Sequence, residues 1–584
     1  MLSWARQRYA RAILLRMHSA HRAPSRPRLL PGAAGGQEPA AGGPGAAAQP
    51  PARRWWAVAG WTVACLAVFA FFLQVSYGGR IDSDGANSAL QAWDLIHGHL
   101  LLRGWDFGDA TFYTFELPVN GITQLIFGLG PRAAHVASAL VYTIIAGGAV
   151  ALAVGGAAGA ARAARGCVVV GIMAVPLLTI ATTYTLVEEP DHPGTSVFLL
   201  VSALLIDQAG GRLQGRRWVA PLVCLILAAG QLGDATVLYV GVPAVVLACG
   251  YRMLAQRRLR CADGAMVVAA VVSVPLELAV RAIIKHLGGY QEVTPKTTLA
   301  SPGQWPHNVV VTVGVLRSLY GATVTSQTRL GVVAAALGTL GLLAAAAGIV
   351  LILVRWRKSS RAEHLLVLVI VLNLGVYLVS KGAQGDGYRE VAAVLPCGAA
   401  LAARTVVPPA FLVARRAVAV AVVAGLVALV PLSGAATRAH VGPALGPAPG
   451  DGATAPTAPL TAWLEAHHVS YALAGYWSAS IVTLQSGDRV QVRAVTLVPR
   501  ADGTGYHIHV PYWETNSQWY DPARHDPRYV IAQLSGPSSV HTYERFFGKP
   551  MATYQVPGFV VLEYPQNLLR RVLPMLGIGV GPKS

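Results

Sequence analysis

Apolar runs of roughly twenty residues recur along most of this chain, and no other feature restricts its fold so severely. The first, "WWAVAGWTVACLAVFAFFLQVSY" at 55–77, carries no charged residue. About 20 such residues cross the hydrocarbon core of a bilayer as a helix. Lipid offers the backbone no hydrogen-bond partner, so each run must satisfy its own peptide groups, which a helix does. Further runs fall near 134–157, 167–186, 194–207, 218–233, 236–250, 264–284, 330–354, 364–380, 390–406 and 415–433. The expectation is a polytopic α-helical membrane protein with about eleven transmembrane helices. Only 12% of the 584 residues are charged, against about 25% in a soluble domain, and the mean hydropathy is +0.49.

The formal net charge of +19 invites a nucleic-acid reading, but its distribution argues against one. Nine arginines accompany a single acid, Glu38, in residues 1–54. Many of the others stand in short loops: Arg162 and Arg165, then Arg212, Arg216 and Arg217, then Arg252, Arg257, Arg258 and Arg260. Arg355, Arg357, Lys358 and Arg361 follow, and then Arg404, Arg415 and Arg416. With Arg53 and Arg54 ahead of the first run, alternation puts every group on the cytoplasmic side, as the positive-inside bias requires. The basicity therefore reads as topology and contact with anionic membrane lipids, with no nucleic-acid partner. The same alternation puts the C-terminal segment outside the cell. The six cysteines lie in or beside apolar runs, so that segment has no disulfide framework.

Four regions are expected. Residues 1–54 are rich in Arg, Pro, Gly and Ala, cannot bury a core, and read as a disordered basic cytoplasmic tail. Residues 55–433 form the transmembrane domain, with an external loop at 78–133. Residues 434–457 are a Pro/Gly/Ala/Thr linker, and 458–584 a small external α/β domain. Within it, "PLTAWLEAHH" and "SSVHTYERFFG" read as helices. "YALAGYWSASIVTLQS", "RVQVRAVTLV", "YHIHV", "RYVIAQL" and "GFVVLEYP" read as strands from their β-branched and aromatic content.

In so apolar a chain, ionisable residues at helix mouths are costly and mark sites for examination. The acidic ones gather in the expected external loops. Asp82 and Asp84 open "RIDSDGANSALQAWDLIHGHLLLRGW" (Arg80–Trp105), and Glu188, Glu189, Asp191 and His192 stand in "VEEPDHPGT". Asp234 lies in "GQLGDA", and "QGDGYRE" adds Arg389. An interfacial carboxylate can act as general base toward an acceptor hydroxyl. It can also hold a divalent cation that screens a phosphate leaving group, with Asp82, Asp84 and Asp191 the candidate ligands. An arginine at the same level can clamp phosphate oxygens bidentately. Each residue also has a plainer role: Asp82 and Asp84 as helix caps, Glu188, Glu189 and Asp191 as solvated loop charges, Asp234 as a turn residue, Arg389 as an interfacial side chain. Tyr476, Trp477, Trp513 and Trp519 either fill a small core or stack on sugar faces.

"DGANSALQAWDLIHG" (Asp84–Gly98) resembles the first external loop of the GT-C glycosyltransferases, which include protein O-mannosyltransferases and lipid A aminoarabinose transferases. That loop runs from an acidic pair through small and aromatic residues to an Ala-Arg-x-Leu-Leu-x-Gly pattern. Here Gly85 stands at the usual second acid and Trp93 at the usual arginine. "GYREVAAVLP" (Gly387–Pro396) is similar to the start of a late helix in the same family, and the whole pattern is nearest that of actinobacterial members. The resemblance implies a GT-C-like bundle with an amphipathic external helix after the first span. It implies a polyprenyl-phosphate sugar as donor, and a glycan, protein or lipid hydroxyl as acceptor. Transfer would occur with inversion at the outer face of the cytoplasmic membrane. Asp84 would be the catalytic base, Asp82 a helper or metal ligand, and Arg389 the holder of the donor phosphate. Glu188, Glu189, Asp191, His192 and Asp234 would be supporting residues of acidic loops. Two other classes compete: a transporter or flippase of a lipid-linked saccharide, which would show inverted repeats and midplane polar residues, and a non-catalytic scaffold, which Gly85 would suit.

Overall fold

The computed structural model describes residues 51–574, except 80, 179–191, 258–260, 293–297, 324–328, 384–386, 388, 408–455, 501–502, 504, 535 and 537. The expected span at 415–433, nearly all of the linker at 434–457 and nearly all of the 1–54 tail lie outside the described residues, as do Glu188, Glu189 and Asp191. The chain divides after Gly60 into two compact units. Of the first only 51–60 are described, as the start of a helix. The second runs from Trp61 to Ser584 and holds both the helical bundle and the C-terminal sheet.

The helices are α1 (Pro51–Tyr77), α2 (Ser83–Ile96), α3 (Glu116–Phe127), α4 (Pro131–Ala153), α5 (Ala160–Ala174), α6 (Thr195–Ala209) and α7 (Val219–Gly233). Then come α8 (Val242–Ala255), α9 (Ala262–His286), α10 (Trp305–Leu319), α11 (Arg329–Val354), α12 (Arg361–Val379) and α13 (Val394–Val406). Among the described residues seven helices are long and apolar enough to cross a membrane: α1, α4, α5 with the 3-10 turn after it, α8 with the π-turn before it, α9, α11 and α12. Three shorter apolar helices, α6, α7 and α13, stand at further expected positions. The stretch 286–329, between the runs expected at 264–284 and 330–354, contains α10, which packs on α12 and α11. The chain is thus a multi-pass membrane protein.

Small side chains set the closeness of this bundle. α13, "VLPCGAALAARTV", is buried from Val394 to Arg404 and packs on α11, α5, α12 and α4. A Cβ on Gly398 would overlap the Tyr320 hydroxyl, so a larger residue there has no space against the Tyr320 ring.

One end of the bundle is tied by arginine. Arg165 donates to the Ala153, Gly155 and Val407 carbonyls, and Arg404 donates to the Leu152 carbonyl. Both therefore satisfy carbonyls near the C-terminal ends of α4 and α13. Arg361 holds Asp263 through two bonds of 2.7 and 2.8 Å. Asp207 accepts from the Ala362 amide at the start of α12. The arginines expected on one side thus meet around the same loop ends.

The C-terminal part carries a six-stranded sheet. Its strands are β3 (Tyr471–Gly475), β4 (Gln491–Pro499), β5 (Tyr506–His509), β7 (Tyr529–Gln533), β8 (Ala552–Val556) and β9 (Phe559–Glu563), in the order β5-β4-β3-β7-β9-β8. β3 pairs in parallel with β4 and β7, and the outer pairs are antiparallel. The helices α14 (Ala458–Ala466), α15 (Tyr476–Gln485) and α16 (Val540–Phe547) complete it. "YALAGYWSASIVTLQS", expected as one strand, breaks at Gly475 into β3 and α15. α15 lies between β4 and α2, and almost every residue from Ser478 to Leu484 is buried. Packing on two sides overrides the strand preference of Ile481, Val482 and Thr483.

A second, three-stranded sheet joins the loop after α1 to this domain. β1 (Trp105–Phe107) runs parallel to β2 (Gln291–Glu292) and antiparallel to β6 (Thr515–Asn516). Trp105 faces Asn516 and Asp106 faces Thr515.

Candidate active site

The site begins at the first turn of α2. Asp82 has an extended backbone (φ −94°, ψ −166°), and its carboxylate accepts from the Gly85 amide at 3.0 Å. It is the N-cap, satisfying one of the orphan amides of the helix start. Asp84 stands two residues further on, in the first turn, where the partial positive charge of the helix N-terminus attracts a carboxylate. The small residues Gly85, Ala86, Ser88, Ala89 and Ala92 are all buried. A Cβ on Gly121 of α3 would stand 2.6 Å from Ile96, so α2 and α3 lie close. Gln124 of α3 donates to the Ala89 carbonyl at 2.8 Å and completes the clamp.

On its open side α2 meets α15. The Ser83 hydroxyl donates to the Tyr476 carbonyl at 2.6 Å, and the Ser480 hydroxyl donates to Asn87 Oδ1 at 2.5 Å. These bonds place the Tyr476 hydroxyl on Asp84: it donates to Oδ1 at 2.5 Å and stands 3.1 Å from Glu514 Oε2. Asn87 Nδ2 reaches both, at 3.3 Å to Tyr476 Oη and 3.4 Å to Glu514 Oε2. Burial, then the neighbouring Glu514 and Asp84 carboxylates, push the Tyr476 phenol far above the ordinary tyrosine range. It is therefore a protonated donor at physiological pH.

Arg389 approaches from the loop before α13, with Nη1 4.0 Å from Asp84 Oδ2. Its side chain is 41% exposed and that of Asp84 16%. Two residues singled out separately in the sequence thus stand side by side, one mostly enclosed and the other half open.

Of the remaining sequence candidates, Asp234 has other partners. Asp234 ends α7 and holds a turn: its carboxylate accepts from the Thr236 amide at 2.7 Å and the Thr195 hydroxyl at 2.5 Å. His192 opens the short turn His192–Gly194 before α6. Of the aromatics, Trp519 packs against Trp105 at 4.8 Å and under the Arg493 guanidinium at 3.8 Å, a core role. Trp477 is 60% exposed. Asp82 spends one oxygen on its cap and Asp191 lies outside the described residues. No group of three His, Cys, Asp or Glu side chains converges on a candidate cation position among the described residues.

Sequence reasoning misses the role of four polar residues. Tyr476 reads there as core or as a stacking ring, Asn87 lies in the quoted first-loop stretch without a role of its own, and Glu514 and Glu116 belong to no site motif. Glu116 opens α3, is buried, and lies against Gly194 so closely that no Cβ would fit there. The signal available for Glu514 is a lone acid in an aromatic-rich stretch, "PYWETNSQWY".

These elements define a helical membrane bundle whose loop after α1 is covered by a C-terminal strand-containing domain. A scan against protein-family models and a search of curated proteins each find no match. Among solved structures the same fold is found in ArnT from Cupriavidus metallidurans in the apo state. It matches with a TM-score of 0.52 at 14% identity, over 89% of this chain and 100% of that one. A structure of the same protein bound to undecaprenyl phosphate matches with a TM-score of 0.45 at 14% identity, over 86% and 98%. The fold of this chain is ArnT-like.

Proposed function

We propose that this protein is a GT-C-type glycosyltransferase. It moves a sugar from a polyprenyl-phosphate donor to an acceptor hydroxyl at the outer face of the cytoplasmic membrane, with inversion. The observation that carries this reading is the neighbourhood of Asp84 and Arg389, a carboxylate and a guanidinium 4.0 Å apart. The first-loop resemblance and the ArnT-like fold support the same class.

Asp84 accepts the proton of the acceptor hydroxyl as its oxygen attacks the anomeric carbon. The bond from that carbon to the phosphate oxygen breaks, and the electron pair leaves with the lipid phosphate. Arg389 binds this phosphate and stabilises the charge that builds on it. No step is assigned to a metal. The acceptor is a hydroxyl of a glycan, protein or lipid.

The orientation follows from charge. The Arg165–Arg404 end and the Asp84 end lie at opposite ends of α4, which has 23 residues and so is about 34 Å long. The arginine-rich end belongs in the cytoplasm by the positive-inside bias, which leaves Asp84 and the C-terminal domain outside. Radiolabelled polyprenyl-phosphate mannose, glucose and arabinose, offered to the purified protein with a cell-envelope extract, test the reaction. One donor is consumed, with free polyprenyl phosphate released. No consumption of any donor by a folded preparation contradicts it.

A further inference from the structure

Two carboxylates meet at one phenol in this site, and the proposed reaction uses only one of them. Asp84 comes from the first helix after α1. Glu514 comes from the C-terminal domain, where it is 8% exposed and sits immediately before β6. The pairing of β6 with β1 fixes its height against α2. Its backbone is left-handed (φ +45°), an uncommon conformation for a residue with a side chain. Burying an acid in a strained position beside another acid is costly for stability, and such costs concentrate at functional sites.

We propose that Glu514 is a second working carboxylate of this site and that it receives, through the Tyr476 hydroxyl, the proton that Asp84 collects from the acceptor. This rests on the transfer reading above. A tyrosine hydroxyl has one proton and two lone pairs. The Tyr476 proton points to Asp84 Oδ1 at 2.5 Å, and Glu514 Oε2 lies within reach at 3.1 Å. Asn87 Nδ2 bridges the hydroxyl and Glu514, and the Ser480 hydroxyl anchors the Asn87 amide. The three oxygens are therefore held within reach of one another by three different elements: α2, α15 and the stretch before β6.

Transfer leaves the acceptor proton on Asp84. Asp84 gives that proton to Tyr476 Oη while the original Tyr476 proton passes to Glu514 Oε2. Asp84 is again a carboxylate, the phenol is unchanged, and Glu514 is a carboxylic acid that discharges to water before the next turnover. Glu514 and Tyr476 also make the C-terminal domain part of the catalytic apparatus: a site lacking it has the base but not this second proton acceptor.

Steady-state turnover of the donor is measured for the full chain, for Glu514→Gln, Tyr476→Phe and their double variant, and for Asp84→Asn, with a thermal melt of each. Glu514→Gln and Tyr476→Phe each lower kcat about 10- to 100-fold, with the donor KM within about twofold of wild type. The double variant is no slower than the slower single, because both remove the same route, and the melts stay level. Wild-type kcat in either single variant overturns the proposal, and so does a loss of kcat that tracks a fall in Tm. If Glu514→Gln fails to fold, Tyr476→Phe decides alone by the same criterion. An active wild type and inactive Asp84→Asn with unaltered Glu514→Gln and Tyr476→Phe leaves the transfer reading standing and removes only this inference. A wild type that turns over no donor removes both.

Discussion

Arg389 and Asp84 pose a question of charge. Their side chains approach to 4.0 Å, close enough to attract and too far for a committed bidentate pair. The half-exposed guanidinium thus presents its charge beside the Asp84 carboxylate. If it clamps the departing phosphate, Arg389→Ala lowers donor kcat/KM about 100- to 1,000-fold, the scale of one lost charge-stabilising donor. Arg389→Lys falls between, because an ammonium keeps the charge but loses the planar fork. Steady-state kinetics with the cognate donor measure this, and equal values for Arg389→Ala and wild type would reduce Arg389 to an interfacial side chain.

At the scale of elements, the three-stranded sheet decides how the domain meets the loop. Asp106 lies in its central strand, and burial pushes its carboxyl up to about 6 from 3.8. A raised carboxyl favours the folded state while protonated. Its stabilising effect is complete below about pH 4 and is lost as pH rises through about 6. The wild type therefore melts lower at pH 7 than at pH 5, and Asp106→Asn reduces that difference and melts higher than wild type at pH 7. Thermal unfolding at the two pH values checks it, and an unchanged pH difference in the variant counts against the assignment to Asp106.

The elements also separate what the sequence discloses from what it hides. Spans such as α4, α9 and α11 are legible because apolar length suffices to define a membrane helix. Asp82 and Asp84 are legible because charge at a helix mouth stands out, and the cap geometry then separates their roles: Asp82 turns back to Gly85, and Asp84 faces Tyr476. α15 is not legible as a helix, because its β-branched run is overruled by contacts with β4 and α2. Tyr476 and Glu514 are hidden for the same reason. Their meaning comes from docking against a helix that lies far earlier in the chain, and no local pattern encodes that.

For the whole molecule, the site is a convergence of three sequence regions: the helix that follows α1, the loop before α13 and the C-terminal domain. The bundle sets the first two at one end, opposite the arginine-tied loops, and β1 with α2 receives the third. A greasy donor with a wet sugar requires a site at such a boundary. The central claim is that Asp84 deprotonates the acceptor there. Its most direct test is donor-to-acceptor transfer by purified wild type and Asp84→Asn, with equal thermal melts confirming that both are folded. The account predicts transfer by the wild type and a loss of about 100- to 10,000-fold in the variant. Transfer by Asp84→Asn at the wild-type rate would contradict it and leave Asp84 as part of the helix start alone.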